Sequence, residues 1–312
     1  MKEIIPPVDR KLIAEELNED RFIRKTNKGG NEIYVLNYHN SPNTLREIGR
    51  LREVSFRQAG GGTGLEIDLD DYDTCERCYE QLIVYNPEDQ EIIGGYRYIT
   101  GDRAHNPETG GFDLSTAHYF DFSDKMKADY LPHSIELGRS WVQPSYQPSI
   151  NPRKGVFALA NIWDGLGAII VNYPEMKYFF GKVTMYTSYD KTARDLLLAF
   201  MCHYFPDNDS LCYPKPELEA GFDKSAFKQQ FADTPPYEEA FKRLHKLVKE
   251  QGEFIPPLIN IYMNLSSSMK SFGTATNPDF GDVEETGLIV TIADIHQSVL
   301  DRHIGDYTGK SV

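Results

Sequence analysis

The sequence is short of cysteine, of tryptophan and of positive charge. Four cysteines and two tryptophans stand in 312 residues, and 33 basic side chains face 47 acidic ones, for a net charge of −14. Four cysteines make no disulfide framework. Cys75 and Cys78 form one CxxC, in TCERCYEQ, but Cys202 and Cys212 lack ligand spacing, so no metal site is expected. Two small side chains packed on one helical face account for the pair equally well. The basic deficit disfavours nucleic acid as a partner, because phosphate contacts need a basic surface. No run approaches the ~20 apolar residues of a membrane span. The opening MKEIIPPVDRKLIAEELNED has no apolar segment of a secretory signal, so a cytoplasmic protein is expected.

What is present fits a globular chain. Hydrophobic residues make up 40% and charged residues 26%, enough for a sizeable core. A short helix is expected over 9–18 and a strand over 32–37. Ser41-Pro42 offers a helix start, and Leu45, Ile48, Leu51 and Phe56 continue at near-helical spacing. QLIVY and EIIGGYRYI, joined by NPEDQ, predict a hairpin. VFALANIWDGLGAIIVNY is apolar all round the helical wheel and reads as a buried helix. YFFGKVTM suits a strand and DKTARDLLLAFMCHYF an amphipathic helix. Residues 206–236 read as irregular, a helix follows from Tyr237, and 271–294 read as two strands around NPDFGDVEET. This mixture favours an α/β domain with a mixed sheet.

The glycine run AGGGTG is no phosphate loop, since Leu65-Glu66-Ile67-Asp68 follows where Gly-Lys-Ser/Thr and a helix would be required. It reads as a flexible hinge before a substrate-covering loop.

The chemistry concentrates in charged residues embedded in apolar strands. HSIELGRSWVQPSY carries Glu136 and Arg139 among Ile135, Leu137, Trp141 and Val142, and GGYRYITG carries Arg97. Arg52 and Phe56 share a helical face in LREVSF, and Asp68, Asp70, Asp71 and Asp73 follow. Burying such charge is costly unless it is paired or used, so a buried ion network is expected. From residue types alone, a structural salt bridge and a catalytic pair both remain open for Glu136 and Arg139. An odd spacing puts the two on opposite faces of a regular strand. A bulge at Gly138 is therefore expected, turning both towards one cleft.

The order L-R-x-x-x-F, D-D-Y-D, G-G-Y-R and E-L-G-R resembles the acyl-homoserine-lactone synthases. It is still more similar to the bacterial N-acyltransferases that make ornithine and glycine lipids, where E-L-G-R-S-x-V is typical. Both belong to the GCN5-related N-acetyltransferase (GNAT) superfamily. The resemblance implies an α/β (α+β) GNAT fold: a mixed, mostly antiparallel central sheet, splayed parallel strands in its middle, and helices on both faces. One domain over 1–312 is implied, with its core near 30–205 and 265–296 and a helical insertion near 206–262. GGGTG replaces a tryptophan common in the lactone synthases, which argues against a lactone product.

The implied reaction moves a fatty acyl group from acyl carrier protein, or from coenzyme A, to the amine of a small amino acid such as glycine or ornithine. No cofactor is held permanently and no metal is implied. Acyl transfer needs a deprotonated amine, and a desolvated carboxylate can take that proton, so Glu136 is the expected base. Arg139 and Arg97 would hold the acceptor carboxylate or the shape of the site, and Arg52, Phe56, Asp70 and Asp73 would brace them. Ser140, Trp141 and Val142 would meet the pantetheine arm, while Arg153 and Lys154 would meet its phosphate or form a solvated turn. The acidic carrier protein would dock on Arg21, Arg24, Lys25 and Lys28, with Arg153, Lys154, Lys177 and Lys182 as further candidates. The lipid product leaves peripheral contact with a membrane open. Two alternatives stand beside this reading: a coenzyme A-dependent acetyltransferase of small molecules or peptides, and a non-catalytic acyl-binding protein on the same fold.

Overall fold

The computed structural model describes residues 1–310, and by internal packing the chain divides into two compact units. The first takes Met1–Ser115, Pro132–Lys177 and the stretch from His296; the second takes Thr116–Leu131 and Tyr178–Ile295. The strands are β1 (Phe22–Lys25), β2 (Glu32–Leu36), β3 (Glu80–Asn86), β4 (Glu91–Thr100), β5 (Phe120–Phe122), β6 (Ser134–Val142), β7 (Tyr178–Met185), β8 (Cys212–Pro214), β9 (Lys270–Asn277) and β10 (Val283–Thr291). The α-helices of the first unit are α1 (Arg10–Glu16), α2 (Pro42–Ala59), α3 (Asp71–Thr74), α4 (Gly101–Ala104), α5 (Pro152–Gly155) and α6 (Ala158–Asn172). Those of the second are α7 (Lys191–Tyr204), α8 (Ser225–Gln230), α9 (Tyr237–Glu250) and α10 (Pro257–Met263), and α11 (Gln297–Ile304) returns to the first.

In the first unit β1, β2, β3, β4 and β6 lie side by side, each antiparallel to the next. The NPEDQ turn closes the β3–β4 hairpin as its turn formers require. Helix α6 packs on β3 and β4, burying Ile162, Leu166 and Ile169, each stabilising by about 1.5–3 kcal/mol. By length and composition the stretch Pro152–Asn172 is apolar enough to cross a membrane, contrary to the expectation that no run comes close. Yet 61% of its most apolar window is buried inside the protein, the position of a core helix.

Two local expectations fail for tertiary reasons. Helix α2 begins at Pro42, but the Ser41 side chain makes no capping bond. The Glu16 carboxylate from α1 caps it instead, accepting from the backbone amides of Asn43 at 3.1 Å and Thr44 at 2.7 Å. The glycine run is a tied turn rather than a hinge. Buried Glu53 accepts from the amides of Thr63 at 3.1 Å and Gly64 at 2.9 Å, and from the Thr63 hydroxyl at 2.8 Å. Gly60, Gly62 and Gly64 all have positive φ, between 73° and 94°, which explains the residue type there.

In the second unit β7, β10 and β9 form an antiparallel sheet, and β5 pairs with β8. Residues 206–236, read as irregular, contain β8 and α8. Helix α7 packs against α8 and α9 through an aromatic cluster centred on Phe200, which meets Tyr204, Phe231, Tyr237 and Phe241.

Candidate active site

One face of the first sheet carries charge instead of apolar side chains. Gln81 lies opposite Arg97, and Arg97 lies opposite Gly138, so these positions share a face, as does Glu136 two residues before Gly138. Gly95 then pairs with Trp141, so Arg139 and Ser140 together stand opposite the single Tyr96. That is a bulge, which reverses the parity and puts Arg139 on the face of Glu136.

The bulge is real but lies one residue beyond the expected Gly138. The left-handed conformation falls on Arg139, with φ of 48°, where a residue other than glycine costs about 1–3 kcal/mol. The Arg139 guanidinium is fixed by Asp68, Nε to Oδ2 at 3.0 Å, so a tertiary ion pair overrides the local preference for glycine.

Helices α2 and α3 cover this face. Arg52 is fully buried and donates to Asp68 at 2.9 Å and bidentately to Asp73 at 3.1 Å. Arg97 reaches Asp70 at 2.7 Å and Asp73 at 3.0 Å, and its guanidinium lies 5.1 Å from the Tyr79 ring centre and 5.7 Å from that of Tyr72. Gln81 donates to Asp73 at 2.9 Å. Asp70 and Asp73 also form a capping box at the start of α3. Three arginines are thus matched by Asp68, Asp70 and Asp73. Burial would raise the Asp68 carboxyl, but Arg139 and Arg52 beside it hold it below its usual range. Burial likewise opposes ionisation of Asp73, and Arg52 and Arg97 overcome it.

Glu136 adds a fourth carboxylate, 1% exposed. It accepts from the Tyr79 hydroxyl, from the Ser115 amide at 3.1 Å and from the Ser115 hydroxyl at 3.3 Å. Burial and the Glu136 charge push the Tyr79 phenol well above its usual range, so it stays a donor.

Arg52, Asp70, Asp73, Arg97 and Arg139 therefore meet in one network. Phe56 is buried one turn beyond Arg52 on α2. Ser140 forms the bulge, Trp141 is buried opposite Gly95, and Val142 lies opposite Gly94. Lys154 instead pairs with Asp89 in the β3–β4 turn at 2.7 Å, and Arg153 is exposed beside it on α5. Of the docking candidates, Lys182 is corrected: it is 9% exposed and bound to Glu285 at 2.7 Å, so it is no surface cation. Arg24 is tied to the Ile304 carbonyl at 2.6 Å. Sequence reasoning placed Asp68 in the acidic cluster of the expected ion network without naming its partners, and assigned no role to Gln81, Tyr79 or Ser115, which carry no local signal.

Residues 51–153 match the acetyltransferase (GNAT) domain. A glycine N(alpha)-acyltransferase of Bacteroides thetaiotaomicron is 50% identical over 97% of this chain and 90% of its own length. A second, from Phocaeicola vulgatus, is 48% identical over 98% and 94%. The chain belongs to this family of N-acyltransferases. A solved coenzyme A-dependent acyl-homoserine lactone synthase, BjaI, covers 87% of each chain at 13% identity with a TM-score of 0.38, a likeness too slight to carry argument. The N-acyltransferase family thus includes a mixed α/β chain whose sheet pairings, where described, are antiparallel.

Proposed function

We propose that this N-acyltransferase moves a fatty acyl group from a pantetheine thioester, on acyl carrier protein or coenzyme A, to the amine of glycine, giving an N-acylglycine. The acceptor is supported by likeness to two glycine N(alpha)-acyltransferases along nearly the whole chain. The chemistry rests on one observation: a buried carboxylate, Glu136, shares its sheet face with the bulge at Arg139 and Ser140.

The glycine ammonium gives a proton to Glu136, directly or through one water, and becomes a nucleophile. Its nitrogen attacks the thioester carbonyl carbon, and the C–O π electrons move onto oxygen. Backbone N–H groups at the Ser140 bulge would stabilise that oxyanion. Collapse forms the amide and breaks the C–S bond. The leaving thiolate takes the second proton of the nitrogen, so the products are amide, thiol and one proton held by Glu136. Arg52, Arg97 and Arg139, each engaged by aspartate, hold the shape of the site. Lys25, Lys28, Arg153 and Lys177 are the exposed cations on which an acidic carrier would dock.

The test is product identity. Long-chain acyl-coenzyme A and acyl carrier protein are each incubated with labelled glycine, and products are read by mass spectrometry. Labelled N-acylglycine is expected. Release of free fatty acid alone, or transfer to ornithine with glycine inert, overturns the assignment.

A further inference from the structure

Glu136 is buried, and burial favours the neutral acid over the ion that a general base must be. Donors on the protein have to favour the ion again. Tyr79 is buried beside it, its backbone amide bound to the Tyr72 carbonyl at 2.8 Å and its hydroxyl donating to Glu136 Oε2. The Ser115 amide donates to the Tyr79 oxygen at 3.0 Å and to Glu136 at 3.1 Å. The phenol oxygen therefore accepts on one side and commits its single O–H to the carboxylate. The Ser115 hydroxyl adds a longer bond to Glu136 Oε1 at 3.3 Å.

The charged network reaches this group through the Tyr79 ring. The Arg97 guanidinium lies 5.1 Å from the ring centre and is anchored by Asp70 and Asp73. A cation there favours negative charge on the phenol oxygen, which makes its O–H a stronger donor. The other charged and titratable groups around the pair are Tyr72 on α3, Arg52 on α2 and Arg139 on β6, with Asp113 beyond Tyr72. Burial pushes the Tyr72 phenol up to about 12. Against burial, Arg52 and Arg97 hold Asp73 low, so neither group changes charge near neutral pH.

The geometry points to Tyr79 and Ser115 as the positioning residues that keep Glu136 ionised for the reaction proposed above, and the inference rests on that reading. They act through the carboxylate. A bond donated to the ionised form lowers its proton affinity, so deleting that bond raises the pH at which activity appears.

The test is the pH dependence of kcat/KM for glycine at saturating acyl donor. Tyr79→Phe keeps the ring and removes the hydroxyl. Its acid limb should move up by about one pH unit, a tenfold change in proton affinity and the usual weight of one hydrogen bond to a charged group. Lost packing alone would lower the rate and leave the limb in place. A second measurement does not need turnover: infrared titration of the full-length protein, following the protonated-carboxyl stretch that Glu136→Gln lacks. That band should move with the limb. If neither moves in folded Tyr79→Phe, or the limb moves without the band, the inference falls. If the band moves and the rate profile does not, the base assignment of Glu136 falls instead. Should Tyr79→Phe not fold, Ser115→Ala decides: it removes only the 3.3 Å bond, limb and band should rise by less, and an unmoved band overturns the inference.

Discussion

Both units bury charge on a sheet face, and the two sites are built differently. In the second unit Lys182 on β7 meets Glu285 on β10 at 2.7 Å, one cation to one carboxylate. Neutral groups close the pair: Asn277 donates to Glu285 at 3.2 Å, Tyr119 donates to Asn277 at 3.0 Å, and the Tyr119 ring lies 5.2 Å from the Lys182 ammonium. The first unit matches three arginines with three aspartates and then sets Glu136 beside them, held by a phenol, an amide and a hydroxyl. Buried charge by itself is therefore a poor mark of function, because a balanced pair can serve packing alone. On the mechanism proposed above, Glu136 rather than these arginine-paired aspartates takes the proton.

The sharpest way to break this contrast is to neutralise one carboxylate in each unit. Glu136→Gln should lower kcat by about 10²–10⁴, the usual share of a general base. Glu285→Gln removes an equally buried charge and should leave kcat within about threefold, because it stabilises no transition state. Steady-state rates with saturating acyl donor and glycine decide it. Similar losses in both variants would erase the distinction.

Next in size is the tally itself. Asp73 accepts from Arg52, Arg97 and Gln81, so Asp73→Ala strands two buried guanidiniums. Its cost should be about 3–5 kcal/mol in urea unfolding; a cost under about 1 kcal/mol would mean that water replaces the carboxylate. The sign with pH follows. Asp68 and Asp73 titrate lower in the folded protein than in the unfolded chain. The stability they supply is complete above the unfolded value of ~3.9. It is lost as pH falls below that value towards the folded ones. Asp73→Ala should flatten the decline of stability below about pH 4, and an unchanged slope would remove Asp73 from acid unfolding.

Much of this site was legible because charge inside a strand conflicts with the apolar pattern around it. Glu136, Arg139 and Arg97 stand out on that ground, and the parity of 136 and 139 demanded a bulge. Its place was not legible. A glycine was available at 138, but the Asp68–Arg139 pair, 71 residues apart in sequence, draws the left-handed turn onto Arg139. The partners of Glu136 were hidden for the same reason. Tyr79 and Ser115 are 57 and 21 residues away and carry no periodicity that points to a carboxylate. The hairpin and the buried helix were read correctly, since turn formers and an apolar wheel are local facts. The cap on α2 was not, because Glu16 supplies it from another helix.

The smallest effect should come from removing the second unit's pair altogether. Lys182→Met with Glu285→Leu keeps the volume roughly constant and withdraws both charges together. Burying an ion pair costs desolvation that its attraction scarcely recovers, so a hydrophobic replacement is often neutral. Asn277 would lose the acceptor of its amide nitrogen, and the bond from Tyr119, which is donated to its oxygen, does not replace it. The double variant should therefore cost about 1–3 kcal/mol, whereas Glu285→Leu alone, which strands Lys182 as well, should cost about 3–5 kcal/mol. With Lys182→Met alone measured as well, the cost of the double variant less the two single costs is the coupling between the residues. Should the double variant also lose acyl transfer while remaining folded, Lys182 and Glu285 belong to the chemistry, and the contrast between the units is wrong at its root.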